Sequence, residues 1–108
     1  METKFVDVIL PLPVPRPYTY RVPRDWNEKV CEGARILVQF GKKKIYTAII
    51  YKIHHTPPQH YRAKYLSELV DEFPIVQPNQ IELWRWIADY YMCSLGEVMA
   101  ASLPAGLK

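Results

Sequence analysis

Arg35-Ile36-Leu37-Val38-Gln39-Phe40-Gly41-Lys42-Lys43-Lys44-Ile45-Tyr46-Thr47-Ala48-Ile49-Ile50-Tyr51-Lys52-Ile53 reads as two strands joined by a short basic turn. Both arms are rich in branched and aromatic residues, which suit a pleated, half-buried surface. Gly41 supplies the turn with a residue free to adopt positive φ, and the lysines give it a charged tip. Outward from this hairpin, residues 4–10 and 18–22 alternate sides and read as two further strands. Residues 64–70 read as the last. Prolines at alternate positions from Pro11 to Pro17 fix φ and remove four backbone donors, so that stretch runs as polyproline II or along an edge. Residues 23–33 form a turn-rich connection with Gly33 at positive φ, and residues 54–62, with Pro57-Pro58, form an exposed loop.

At Pro74 the texture changes. Pro78 suits the first turn of a helix, and residues 79–91 place Ile81, Trp84, Ala88 and Tyr91 on one face. Leu83, Trp86, Ile87 and Tyr90 fill an adjacent face, which predicts a largely buried helix. Ser94-Leu95-Gly96-Glu97 matches a capping box, and a second short helix over 95–103 stops at Pro104. The expected fold class is α+β: a small antiparallel β-subdomain over about 1–73, as a sheet or partly closed barrel, followed by a helical hairpin over about 74–108. Closure removes exposed strand edges. The chain is expected to be one domain, with a boundary at Lys108.

Composition sets the class. The 108 residues are 49% hydrophobic and 23% charged, which suits one folded domain and argues against disorder. Apolar runs such as that from Ala48 to Tyr51 fall far short of the roughly 20 residues that span a bilayer. The N-terminus shows no basic segment leading into an apolar core, so no secretory signal is visible and a cytoplasmic location is expected. Cys31 and Cys93 lack a CxxC partner and read as reduced thiols. A net charge of +3 does not by itself identify a nucleic-acid binder. Eight tyrosines are more telling, because Tyr serves where one end is apolar and the other wet.

Catalytic patterns are missing. His54, His55 and His60 share one Pro-rich loop without the cysteine or carboxylate spacing of a zinc site. Gly41-Lys42-Lys43-Lys44 has one glycine and is no phosphate loop, and no GxSxG, HExxH or calcium-loop pattern occurs. The sequence reads as a binding module.

Three features bear on what is bound. Tyr18 and Tyr20 fall on one face of a strand directly after the polyproline stretch. They fit a base clamp or plain core rings equally well. The Gly41-Lys42-Lys43-Lys44 tip attracts phosphates, or is simply a solvated turn. Lys64 and Arg62 read as surface residues in the same half of the chain. The run from Pro11 to Pro17 could bait an SH3-like domain, but it lies between strands rather than in a free tail.

Taken in order, these pieces resemble the N-terminal DNA-binding domains of the PriA (primosomal protein N′) helicases. Val8-Ile9-Leu10-Pro11-Leu12-Pro13-Val14-Pro15-Arg16-Pro17-Tyr18-Thr19-Tyr20 is similar to that family's opening, an apolar strand, a proline-rich stretch and an aromatic-x-Tyr triplet. Gly33-Ala34-Arg35-Ile36-Leu37-Val38-Gln39-Phe40-Gly41-Lys42 resembles its alternating apolar segment ending in Phe-Gly. Ala88-Asp89-Tyr90-Tyr91, Gly96-Glu97-Val98 and Leu103-Pro104 resemble its end. No single motif is specific, but the ordered set runs over residues 5–106.

The resemblance implies a module that holds the 3′ end of the leading strand at a stalled replication fork, for primosome assembly and replication restart. It places a 3′-end pocket on Tyr18, Thr19, Tyr20, Gly41 and Lys64. Beside that pocket, the charges of Lys42, Lys43, Lys44 and Arg62 are expected to make weaker contacts to the DNA backbone. It further implies a longer protein carrying an ATP-dependent 3′–5′ helicase, to which ATP, Mg and Zn belong, with no cofactor in this domain. The expected partners are forked or single-stranded DNA with a free 3′ end, a single-stranded-DNA-binding protein and other primosome proteins, bound by a monomer. One departure stands out. The middle of the triplet is commonly aspartate in that family and here is Thr19, a weaker acceptor than a carboxylate. The competing functions are a protein-interaction module of the restart machinery and a generic single-strand binder without end specificity.

Overall fold

The hairpin at the centre of the sequence is also the centre of the sheet. In a computed structural model describing residues 3–14, 16–41, 44–59 and 61–103, β3 (Arg35–Gln39) pairs antiparallel with β4 (Ile45–His54). Around them lie β1 (Phe5–Ile9), β2 (Tyr18–Arg21) and β5 (Glu68–Leu69), in the order β2-β1-β4-β3-β5. Four strands fall within a residue or so of the stretches predicted from alternation. Gly33 takes the positive φ expected of it, 89°.

The last strand differs. Residues 64–70 do not form one continuous strand, because the segment serves two edges in succession. Its first half lies along β2, where the Arg21 amide donates to the Lys64 carbonyl at 2.7 Å and the Leu66 amide donates to the Arg21 carbonyl at 3.0 Å. Tyr65 thereby forms a parallel bridge with Arg21. The second half, β5, pairs with β3 at the opposite edge. The chain cannot hold both registers as a single strand, and the crossover joins the two sheet edges into a partly closed barrel. The pairing of β1 with β4 shifts register between Asp7 and Val8, the kind of irregularity that bends a sheet and supports closure.

Period-two alternation divides the strands between two cores. Val6, Val8, Leu10, Tyr20, Ile36, Val38, Ala48 and Ile50 fill the barrel interior. Ile9 and Ile49 point the other way, into a second core with Val76, Ile81, Trp84, Ala88, Val98 and Met99. That core receives the helices α1 (Pro78–Tyr91) and α2 (Leu95–Ser102). The capping box at α2 is as predicted: the Glu97 amide donates to the Ser94 hydroxyl at 3.2 Å, and the Ser94 amide donates to the Glu97 carboxylate at 3.1 Å. Donation from the Ser94 amide, and from the Ser94 hydroxyl at 2.9 Å, holds the Glu97 carboxyl below its ordinary range.

The expectation that α1 is largely buried is corrected. Ile81, Trp84 and Ala88 are buried, but Leu83, Trp86, Tyr90 and Tyr91 are exposed, and the Trp86 and Tyr90 rings stack on each other at 5.3 Å. One helix stripe packs on the sheet, and no further layer among the described residues covers the other.

The proline stretch is packed rather than free. Leu12 and Val14 lie against the barrel core. A Cβ at position 96 would overlap the Leu10 and Leu12 carbonyl oxygens, so only glycine lets α2 approach this segment so closely. Pro11 to Val14 is thus a brace between barrel and helix. Pro15 lies outside the described residues.

Candidate nucleic-acid interface

The triplet sits on β2, one edge of the sheet, and the strand's alternation separates its members. Tyr20 points into the barrel and is 1% exposed, its hydroxyl donating to the Gln39 carbonyl at 2.7 Å. Burial pushes its phenol pKa up, helped by the neighbouring Tyr18 and Tyr61 phenols. Tyr20 is therefore a core ring whose polar tip ties β2 to the end of β3, directly before Phe40-Gly41. Tyr18, two residues earlier at the strand's start, is only half-buried. It stacks on Tyr61 with 4.5 Å between centroids, meets the Phe40 ring edge-on at 5.2 Å, and leans on Tyr20 at 5.7 Å. The two tyrosines split the alternatives left open by the sequence: one is core, and one carries a partly open aromatic surface.

Phe40 and Tyr20 bring the Gly41 turn to this surface. Gly41 has φ 75°, and a Cβ there would meet nothing within 4 Å. The glycine is required by backbone conformation, and the space above it is open to a ligand. Lys42 and Lys43 lie outside the described residues. Lys44 is exposed, and its carbonyl accepts from the Phe40 amide at 3.0 Å, closing the turn.

Residues 61–66 arrive along the open edge of β2. The Tyr61 hydroxyl accepts the Thr19 amide at 2.9 Å, and the Lys64 carbonyl accepts the Arg21 amide. Lys64 is fixed beside the triplet by its backbone and keeps its side chain exposed. Arg62 is exposed and lines a cleft of about 340 Å³ together with Tyr61 and Arg21.

Thr19 faces away from the barrel, across the β2–β1 ladder from Asp7. Its hydroxyl donates to Asp7 Oδ1 at 2.7 Å, and His54 Nε2 lies 2.8 Å from the same oxygen. The Thr56 amide donates to His54 Nδ1 at 3.1 Å. Nδ1 is thereby the acceptor and Nε2 carries the proton given to Asp7. An acidic group thus stands beside the triplet, supplied by β1 rather than by the triplet itself. His54 belongs to β4 rather than to the loop assigned to it from the sequence, and His55 Nδ1 lies 3.2 Å from the Thr3 carbonyl oxygen. His60 lies outside the described residues. Cys31 and Cys93 are free, and burial raises the Cys31 thiol.

Sequence reasoning missed Tyr61, Phe40, Arg21 and Asp7. Tyr61 carried a signal, an aromatic next to Arg62 in a loop otherwise polar. Asp7 carried none, since only strand register places it opposite Thr19.

Residues 7–104 match the family model of the PriA 3′ DNA-binding domain (3′BD). The chain is 31% identical, over 97% of its length, to the replication restart protein PriA of Haemophilus influenzae, of which it covers 14%. Against PriA of Treponema pallidum it is 23% identical over 94% of its length, covering 16% of that protein. Against PriA of Bacillus subtilis the figures are 25%, 88% and 12%. The chain thus spans about one seventh of the length of the curated relatives it matches. No helix among the described residues is long and apolar enough to cross a membrane. With a family model matched over nearly the whole chain, this chain belongs to the PriA 3′ DNA-binding domain family.

Proposed function

We propose that the aromatic surface of Tyr18 and Tyr61, bounded by Thr19, the Gly41 turn and Lys64, receives the terminal nucleotide of a DNA strand with a free 3′ end. The observation that carries this reading is the layering of rings from Tyr20 in the core, through Tyr18, to the more exposed Tyr61. Such a stack offers a base a rigid platform whatever its identity, and base stacking on aromatics is worth about 1–3 kcal/mol. Gly41 leaves room for the sugar, and Lys64 with the Lys42-Lys43-Lys44 tip supplies positive charge for phosphates. Tyr20 acts through Tyr18 and Gln39 as a positioning residue. Stacking and ion pairing need no metal or nucleotide cofactor, and ATP-driven strand separation is assigned to other parts of a full-length restart protein. In that setting the domain marks the leading-strand end at a stalled fork.

Fluorescence anisotropy at low salt tests this directly, using one oligonucleotide with a free 3′-OH and the same strand blocked by a 3′-phosphate. Clearly tighter binding of the free end is expected. Equal binding would reduce the site to an end-blind surface of the generic single-strand type.

A second reading, docking of another protein of the restart machinery, draws on the exposed face of α1 with Leu83, Trp86 and Tyr90. It predicts that Trp86→Glu leaves oligonucleotide binding intact while abolishing association with such a partner.

A further inference from the structure

Arg21 follows the triplet directly and faces the same side of β2 as Thr19. Its guanidinium lies between two rings, 5.7 Å from the Phe5 centroid and 5.5 Å from that of Tyr65. Rings on both sides fix the plane of the group and leave its edge as the direction of interaction. No carboxylate among the described residues forms an ion pair with it, and its buried Nε has no hydrogen-bond partner. An unpaired buried donor on a charged group is costly, and native proteins seldom leave one without a reason.

Arg21 also lines a cleft. About 340 Å³ of space is bounded by Phe5, Arg21, Pro57, Pro58, Tyr61 and Arg62. Two of these residues are cations, and no acidic residue among the described residues lines the space. The two prolines stiffen one of its walls. Tyr61 is shared: one end of the cleft is the same side chain that stacks on Tyr18. A ligand chain whose base rests on the tyrosine platform therefore passes its backbone towards Arg21.

We propose that this cleft is a phosphate site, taking a phosphodiester one or a few linkages inward from the terminal nucleotide, with Arg21 as the fixed donor and Arg62 as the exposed second charge. This rests on the assignment of the platform to a DNA end. The planar fork of arginine matches two phosphate oxygens at once, and a phosphate in the cleft brings Arg21 the negative charge that no carboxylate among the described residues supplies. The site adds affinity without reading sequence, and it sets the direction in which the strand leaves the platform.

The test uses the whole chain and an oligonucleotide with a free 3′-OH, in which each of the last four linkages is replaced in turn by a neutral methylphosphonate. Anisotropy should show one linkage whose neutralisation weakens binding roughly tenfold, the scale of a charge-assisted hydrogen bond. Arg21→Met, which keeps apolar bulk between Phe5 and Tyr65, should lose a similar factor and become indifferent to that linkage. Arg62→Ala, at an exposed position that leaves folding intact, should show a smaller loss coupled to the same linkage. Inorganic phosphate at equal ionic strength should compete weakly, since a lone ion lacks the platform contact. If both variants keep the wild-type response to every linkage, the proposal is overturned. It is equally overturned if neutral linkages have no effect and a polyglutamate peptide competes through Arg21, which would assign the cleft to an acidic protein. The linkage scan is repeated on a 3′-phosphorylated strand. Loss of end preference with Arg21 coupling retained would refute the end pocket alone.

Discussion

Tyr61 stacks on Tyr18 at 4.5 Å and 25° between ring planes, and its hydroxyl accepts the backbone amide of the next residue, Thr19. A loop residue is thus locked to the edge of a strand by a ring at one end and a hydrogen bond at the other. The consequence is that Tyr61, 37% exposed, presents the outermost ring face of the cluster. Tyr61→Ala is expected to weaken 3′-end binding by about 1–3 kcal/mol, the stacking contribution. Tyr61→Phe keeps the ring and should retain most of the affinity. Anisotropy titrations with a free 3′-OH strand read both, and an intact Tyr61→Ala affinity would move the platform off this ring.

Tyr20 should behave as a different kind of residue. Tyr20→Phe removes the donor to the Gln39 carbonyl and should cost about 1 kcal/mol of stability, with DNA affinity altered only through the Gly41 turn. Tyr20→Ala opens a cavity in the barrel and should cost roughly 3–5 kcal/mol, enough to unfold a small domain. Urea denaturation separates the two. A stable, folded Tyr20→Ala chain with no DNA affinity would instead make Tyr20 a ligand contact.

The contrast between these two tyrosines shows what alternation can and cannot reveal. Period two puts Tyr18 and Tyr20 on one face, but it cannot say that the barrel interior ends between them. Four strands and both helices were legible because burial on one side imposes a period along each of them. Residues 64–70 have a strand-like composition too, yet closure splits them between β2 and β3, and closure is a property of the two edges rather than of the segment. The unburied half of α1 was misread for a related reason: apolar periodicity reports what a helix can bury, not whether a partner covers it. Asp7 was invisible because its meaning comes from sitting across from Thr19.

That pairing makes Thr19 a site of conflict for an acidic replacement. Thr19→Asp would set two carboxylates directly across the β2–β1 ladder, where like charges cost about 0.2–1 kcal/mol. Destabilisation of that size is expected in urea denaturation at neutral pH, and Asp7→Asn in the same chain should relieve it. If Thr19→Asp is as stable as the parent, Asp7 does not face this position in solution.

Asp71 offers a pH-dependent check on the closure of the barrel. Arg35 Nε donates to its Oδ2 at 2.7 Å and Nη2 to its Oδ1 at 3.1 Å, while the Arg35 amide also reaches Oδ2 at 3.2 Å. The side-chain hydrogen bond from Arg35 is the largest influence and holds the Asp71 carboxyl below its ordinary range, outweighing burial. A carboxyl depressed in the folded state binds its proton more readily when unfolded. Its stabilisation is therefore complete above the ordinary carboxylate pKa of about 4 and is lost as pH falls through the lower, folded value. Asp71→Asn should remove roughly 3 kcal/mol at neutral pH, since it strands a half-buried guanidinium. The difference between variant and parent should shrink as pH drops below about 4. Thermal melts across that range decide the matter. A gap that stays constant with pH would mean that the ion pair contributes packing rather than charge, and that the link from β3 to the segment after β5 rests on the backbone hydrogen bonds to the Arg35 carbonyl alone.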